Sequence, residues 1–171
     1  MEFKNLITER CSVRAYADRP IEEEKLRAIL EAGRIAPTAA NKQPQRVYVI
    51  RSARGLETIR SITRCAFNAP VVLLFTYDES EQWQNPLETG ITSGQQDVSI
   101  VATHMMLAAW DEGIGSCWVN FFPNTAVHDA FALPESEKVV LLMPLGYADE
   151  NAKPAPMHFS KKEMDALVRE L

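Results

Sequence analysis

Apolar residues along this chain follow the helical period in two long segments. Residues 21–36 place their apolar side chains on one stripe; the segment follows Pro20, has three glutamates in its first four residues, and stops at Pro37. This is the pattern of an amphipathic helix. Residues 95–110 are apolar on nearly every side, so they predict a helix buried on several faces. Such a helix is either central in the core or part of a subunit interface, and the small size of the chain favours the interface.

Shorter apolar runs predict the strands of a single sheet. The run at residues 70–76 is apolar on both faces, which indicates a fully buried, central strand. Three further runs, rich in β-branched or other apolar residues, predict strands at 46–50, 117–122 and 139–145. The last of these runs ends at Gly146.

Four shorter helices and one long loop complete the predicted elements. The helices are expected at residues 56–62, 124–132 and 161–171, and a first helix is expected to end at Cys11. Residues 78–92 show no periodicity and hold Trp83, Pro86 and Gly90, so they predict a loop or lid long enough to be functional. Mixed helices and strands, without a repeat, place the chain in the α/β or α+β class.

Composition restricts the possible functions of the chain more than it restricts its possible folds. A length of 171 residues fits one domain, and a net charge of −5 argues against a general nucleic-acid binder. The three cysteines are odd in number and form no CxxC pair, so neither a disulfide framework nor a zinc site is predicted. The first ten residues do not resemble a signal peptide. A cytoplasmic protein without a membrane segment is expected.

The run Arg10-Cys11-Ser12-Val13-Arg14 is the strongest candidate for ligand binding. In an extended segment, alternate side chains point the same way, so two guanidinium groups and one hydroxyl face a common side. Guanidinium groups bind phosphate oxygens bidentately, and a hydroxyl adds a neutral donor. Taken alone, however, a short motif of this kind is more often a solvated basic turn.

The chain offers no recognisable set of acid, base and nucleophile. Its three histidines lack partners at triad or metal-ligand spacing, and Asp97 with His104 is best interpreted as a satisfied polar pair. Gly113-Ile114-Gly115 lacks the third glycine of a dinucleotide fingerprint and follows a helix; Gly113 is expected to cap that helix instead. If the protein is an enzyme, a bound cofactor must carry the reaction.

Four blocks of sequence, in order and spanning most of the chain, together resemble the FMN-dependent nitroreductase family, and most closely its short members. They are Arg10-Cys11-Ser12-Val13-Arg14, Ala36-Pro37-Thr38-Ala39-Ala40-Asn41-Lys42-Gln43-Pro44, Gly113-Ile114-Gly115-Ser116-Cys117-Trp118-Val119, and Leu145-Gly146-Tyr147 continuing through Lys153-Pro154-Ala155-Pro156-Met157-His158 to Lys161-Lys162. The resemblance implies an α+β fold in a single domain over residues 1–171, with a mixed, mainly antiparallel sheet flanked by helices. It also implies an intertwined homodimer.

The resemblance also implies where a tightly bound, non-covalent FMN lies. The first block would contact the phosphate and ribityl chain, joined by a basic pair near the carboxyl terminus. The second block would touch the flavin from the partner subunit, and residues 118–120 would run under the ring. The implied cofactor-binding residues are Arg10, Cys11, Ser12, Arg14, Pro37, Thr38, Ala39, Asn41, Gln43, Trp118, Val119, Asn120, Lys161 and Lys162.

The implied activity is hydride transfer from NADH or NADPH through FMN to a small electron-poor acceptor, such as a nitroaromatic or a quinone, in alternating half-reactions. No side chain is expected to be catalytic. Phe121, Phe122 and Trp83 are candidates to stack against the acceptor. Two alternatives remain open: a flavin-binding carrier or sensor without turnover, and an interaction domain that only dimerises.

Overall fold

A four-stranded antiparallel sheet with helices on both faces forms the centre of the molecule. The computed structural model describes all residues from 1 to 171. The strands are β1 (Gln45–Ile50), β2 (Val71–Asp78), β3 (Gly115–Ser116) and β4 (Glu137–Gly146), in the spatial order β1-β2-β4-β3. The helices are α1 (Phe3–Glu9), α2 (Glu23–Arg34), α3 (Ala53–Ile62), α4 (Gly94–Asp111), α5 (Asn124–Ala130) and α6 (Met164–Leu167).

Alternation along β2 divides the core into two layers. Leu73 and Phe75 face α2 and α4, whereas Val72 and Leu74 face α3 and α5, and none of these four side chains is exposed. Successive side chains of a strand point to opposite faces, so a strand that is apolar throughout must be covered on both sides. β2 pairs with β1 on one side and β4 on the other, which confirms the predicted central strand.

Helix α4 is the long apolar helix that the sequence predicted. It has 18 residues and packs on α2 and on the sheet. It ends at Asp111 and is followed by Gly113, whose φ of +74° is the left-handed conformation that glycine adopts without strain. This confirms the expected cap. No helix in the structure combines the length and the apolar character needed to cross a membrane.

Two predicted elements differ from the structure. Residues 117–122 do not form a strand: β3 covers only Gly115–Ser116, and a single bridge from Val119 to Leu142 follows it. The Asn120 side-chain amide donates to the carbonyl of Val140 at 3.1 Å, so a side-chain hydrogen bond takes the place of a backbone hydrogen bond between strands. The predicted helix over 161–171 is reduced to α6, because its apolar residues have nothing in the chain to pack against and helix propensity alone rarely sustains so short a segment.

Candidate functional site

The first motif is an extended segment held against β3. The Arg10 amide donates to the carbonyl of Leu6 at 3.1 Å and closes α1. Ser12 then forms a parallel bridge with Ser116, and the Val13 amide donates to the Ser116 carbonyl at 2.9 Å. Cys11 and Val13 are buried, whereas Arg14 is exposed and Arg10 and Ser12 are half-buried. The alternation therefore leaves two guanidinium groups and a hydroxyl on the outer side.

Neither arginine of this motif is paired with a carboxylate. The one hydrogen bond from the side chain of Arg14 goes to the carbonyl of Ser12, at 3.4 Å, and Arg10 has no side-chain hydrogen bond. Other arginines of this acidic protein are paired with glutamates, among them Arg19, Arg34, Arg46 and Arg51. The motif thus holds two cations that remain available to an anion.

Cys117 follows β3 by one residue, and its thiol is buried. Burial raises the pKa of the Cys117 thiol above its ordinary value, and the charge of Arg14, the hydroxyl of Ser12 and the charge of Arg10 act in the opposite direction. The three groups that oppose the effect of burial all belong to the first motif.

Tyr16 fixes the motif to the sheet. Its hydroxyl lies 2.8 Å from the carbonyl oxygen of Val13 and 3.1 Å from that of Pro144 in β4. Burial raises the pKa of Tyr16 far above its ordinary value, so the hydroxyl stays protonated and keeps its role as donor. Gly115 allows the close approach, because a Cβ there would lie 2.7 Å from Cγ2 of Val13.

Residues 118–120 form a short extended stretch beside β4. Val119 exchanges two hydrogen bonds with Leu142, at 2.9 and 3.0 Å. The Trp118 indole donates to the Asn120 side-chain oxygen, and Asn120 in turn donates to Val140. These bonds fix the backbone of the segment that the resemblance assigns to the flavin ring.

The loop at residues 38–43 is built around a buried carboxylate. Asp97, in the first turn of α4 and 2% exposed, accepts from the Ala39 amide at 2.8 Å and from the Ser93 hydroxyl at 2.7 Å. The Gln43 amide donates to the Thr38 hydroxyl at 3.0 Å, and the Gln43 side-chain amide donates to the Asn41 carbonyl at 3.1 Å. The loop is thereby held in one conformation.

Positive φ angles show how tightly this loop turns. They occur at Ala40 (49°), Asn41 (53°) and Gln43 (52°), a conformation that costs energy in residues other than glycine. The sequence interpretation that paired Asp97 with His104 is wrong, since the partners of Asp97 are Ala39 and Ser93. The sequence feature that could have indicated this role of Asp97 was a lone carboxylate in the first turn of an otherwise apolar helix.

The two halves of the predicted site lie at opposite ends of α4. Asp97 and the 38–43 loop are at its beginning, and Trp110, in its last turn, lines a cavity of 310 Å³ together with Cys11 and Ser12. Thirteen residues of helix separate Asp97 from Trp110, which is about 20 Å at 1.5 Å per residue. A single chain therefore does not bring both halves to one small ligand.

No hydrogen bond joins the carboxyl-terminal lysines to the first motif within the chain. Lys161 and Lys162 are exposed, and Lys161 donates to the carbonyl of His158. Lys153, by contrast, lines the 310 Å³ cavity beside Ser12. The sequence interpretation did not single out Lys153. Its position after Gly146 and close to prolines gave no indication that it lies near Ser12.

The aromatic candidates are divided between two places. Phe121, which is 74% exposed, and the half-buried Phe122 line a cavity of 570 Å³. Trp83 exchanges hydrogen bonds with Ser93, from the Trp83 amide to the Ser93 hydroxyl at 3.2 Å and from the Ser93 amide to the Trp83 carbonyl at 3.1 Å. It therefore belongs to the amino-terminal end of α4, near the 38–43 loop, and not to the phenylalanine cavity of the same chain.

Comparisons with known proteins identify the family of this chain. The model of the Nitroreductase family matches residues 7–67 and 61–147. A protein of Methanothermobacter thermautotrophicus, provisionally named an NADH dehydrogenase/NAD(P)H nitroreductase, is 30% identical over 158 residues, covering 88% of this chain and 80% of the relative.

Two crystal structures are also similar. A nitroreductase family protein from Clostridium difficile 630 has a TM-score of 0.92 and 32% identity, with 99% of this chain and 98% of the other covered. A Desulfovibrio desulfuricans protein crystallised with FMN has a TM-score of 0.82 and 27% identity, with 100% and 97% covered. Because the family model matches most of the chain, and the fold matches over nearly its full length, this chain belongs to the nitroreductase family.

Proposed function

We propose that the protein is an FMN-dependent oxidoreductase, which takes reducing equivalents from NADH or NADPH and passes them to an electron-poor acceptor, a nitroaromatic or a quinone. The observation that carries the proposal is the pair of unpaired arginines beside Ser12, held against β3. The similar Desulfovibrio desulfuricans protein was crystallised with FMN, and the Methanothermobacter relative is named for NAD(P)H.

The donor set of the first motif fits the phosphate of FMN. A phosphate monoester carries nearly two negative charges at neutral pH and accepts several hydrogen bonds. Arg10 and Arg14 supply charge and paired donors, and Ser12 supplies a hydroxyl. Cys11, buried beneath them, shapes the floor of the site. Lys161 and Lys162 add charge if the terminal segment of either chain reaches the phosphate.

When bound, FMN supplies hydride transfer, so no acid, base or nucleophile is required of the protein. The protein must hold the ring, exclude water and admit an acceptor. Trp118, Val119 and Asn120 form the fixed backbone under the ring. Pro37, Thr38, Ala39, Asn41 and Gln43 contact it from a second copy of the chain.

Two observations support a homodimer. The two halves of the site lie at opposite ends of α4, and a second copy of the chain would unite them. The terminal segment also exposes large apolar side chains, namely Met157, Phe159, Met164 and Leu167, which are 84%, 73%, 72% and 64% exposed. Contiguous exposed apolar surface marks an interaction site. We infer that this segment packs on the partner and that residues 1–171 form one domain of an intertwined dimer.

The test begins with the purified protein. We expect stoichiometric FMN, bleached near 450 nm (roughly, the band of oxidised flavin) by NADH or NADPH under anaerobic conditions and restored by a nitroaromatic or a quinone. A protein that stays colourless after FMN is added and the excess is removed contradicts the proposal. Bound FMN that neither nucleotide reduces supports a carrier or sensor instead.

The charge reversal Arg14→Glu tests the phosphate site. We expect it to lower FMN affinity by at least a hundredfold, since it removes one charge and adds a repulsive one (about 3 kcal/mol or more). Arg54→Glu is the matched control, because Arg54 is exposed and lies in the first turn of α3. Full FMN occupancy in Arg14→Glu would show that the phosphate binds elsewhere.

A further inference from the structure

The cavity of 570 Å³ lies next to the segment proposed to run under the flavin. Its walls come from the end of α3, the short helical turn Arg64–Ala66 and the segment from Asn120 to Pro123. The volume is within the usual range for small-molecule sites (roughly 300–1,000 Å³). Asn120 belongs both to the cavity and to the proposed flavin segment, so a ligand bound here lies beside the ring.

The polar groups of the cavity wall are already engaged, with one exception. The Thr63 hydroxyl donates to the Phe121 carbonyl at 3.0 Å and accepts from the Cys65 amide at 3.1 Å. The Asn120 side-chain oxygen accepts from the Trp118 indole, and its side-chain nitrogen donates to the Val140 carbonyl. These bonds fix the wall but leave little capacity for a neutral polar ligand.

The exception is Arg64, the only ionisable side chain that lines this cavity. It is exposed, forms no salt bridge and has no side-chain hydrogen bond in the structure. On a protein with net charge −5, an unpaired arginine beside two phenylalanines combines an aromatic surface with one cation. That combination matches a planar aromatic ring that carries a carboxylate.

We propose that this cavity binds the electron acceptor and that Arg64 selects acceptors with an anionic substituent, a carboxylated nitroaromatic or quinone over its neutral counterpart. The proposal rests on the proposed function, which supplies the reducing equivalents. Phe121 and Phe122 provide the stacking surface, and Arg64 binds the carboxylate at its edge.

The test compares the anion 4-nitrobenzoate with its neutral methyl ester on the FMN-loaded protein, and the ratio of the two cancels, between variants, their intrinsic difference in ease of reduction. We expect the ratio of kcat/KM for the acid to that for the ester to fall about tenfold in Arg64→Gln, as loss of one charge-assisted bond requires. Arg64→Lys should keep most of the ratio. Arg54→Gln, which removes the same charge outside the cavity, should leave the ratio unchanged.

Three results would overturn the proposal: an unchanged ratio in Arg64→Gln, an equal fall in Arg54→Gln, or loss of FMN from Arg64→Gln, which would make Arg64 a cofactor residue. Binding of benzoate, which cannot be reduced by this route, separates the proposal from the proposed function. If the protein reduces no acceptor, the proposed function fails, yet weaker benzoate binding in Arg64→Gln than in Arg54→Gln still supports the anion site. Equal benzoate binding in the two variants contradicts it.

Discussion

The hydroxyl of Tyr16 ties Val13 of the first motif to Pro144 in β4. We expect Tyr16→Phe to lower the free energy of unfolding by about 1 kcal/mol, the usual net value of one hydrogen bond, and to weaken FMN binding because Val13 is no longer tied to β4. Urea unfolding and flavin titration measure the two effects. Tyr77→Phe is the control, since its hydroxyl forms no hydrogen bond in the structure. Equal losses in both variants would contradict this role for Tyr16.

Glu22 is a second single residue whose contacts have a measurable effect, in this case one that depends on pH. A hydrogen bond from Tyr147, a backbone hydrogen bond and a hydrogen bond from Arg19 lower the pKa of Glu22 from 4.5 to about 2. Because the pKa is lowered in the folded state, the stabilisation is present above pH 4.5 and is lost as the pH falls through about 2. In Tyr147→Phe we expect the pKa of Glu22 to rise, as measured by NMR titration of its carboxyl carbon. An unchanged value would assign the shift to the other two contacts.

At the scale of elements, Gly115 in β3 determines how closely the first motif can approach. In Gly115→Ala the new Cβ would lie 2.7 Å from Cγ2 and 2.9 Å from Cβ of Val13, and Tyr16 prevents Val13 from retreating freely. We expect a loss of about 1–3 kcal/mol in stability, as for other overpacked sites, and weaker FMN binding.

Gly33→Ala is the comparison for that substitution. Its Cβ would lie 2.0 Å from Cε and 2.8 Å from Cγ of Met105, so this buried but flexible side chain must change conformation to make room. We expect a loss of stability of the same order as in Gly115→Ala, about 1–3 kcal/mol, whereas FMN affinity should remain because Gly33 lies outside the first motif. Flavin titration of both variants tests this difference in FMN affinity. Equal FMN affinities would contradict the idea that the site requires close packing between β3 and the first motif.

The elements with a clear period were the ones the sequence could predict. The central strand, the amphipathic helix α2 and the buried helix α4 follow from apolar patterns whose partners lie within the same chain. The strand over 117–122 was wrong because Asn120 bonds through its side chain, a contact that no pattern reveals. The helix over 161–171 was wrong because its apolar residues find no surface to cover in a single chain.

The candidate site also has features that the sequence could predict and features that it could not. Alternation predicted the common side of Arg10, Ser12 and Arg14, since it depends only on local geometry. The anchoring of the 38–43 loop by Asp97 could not be predicted, because it joins residues 58 positions apart. The separation of the two halves by the length of α4 is likewise a property of the tertiary fold.

At the scale of the whole molecule, the exposed terminal segment predicts the oligomeric state. We expect light scattering to show a dimer. Phe159→Asp combined with Leu167→Asp should shift the protein towards the monomer and release FMN, because charged side chains would have to be buried at the interface. Leu87→Asp is the control: Leu87 is 94% exposed, yet it lies outside the terminal segment. A monomeric parent protein with full FMN content would contradict the shared site.

The placement of the two half-sites at opposite ends of α4 has a genetic consequence. We expect a chain with Arg14→Glu and a chain whose 38–43 loop is disabled, for example by Asp97→Ala, to be inactive when each is expressed alone. In a mixed dimer, one of the two sites receives both lesions and the other receives none. Co-expression of the two defective chains should therefore restore flavin binding and turnover at one site per heterodimer, as in intragenic complementation, whereas two lesions within the same half-site should never complement each other.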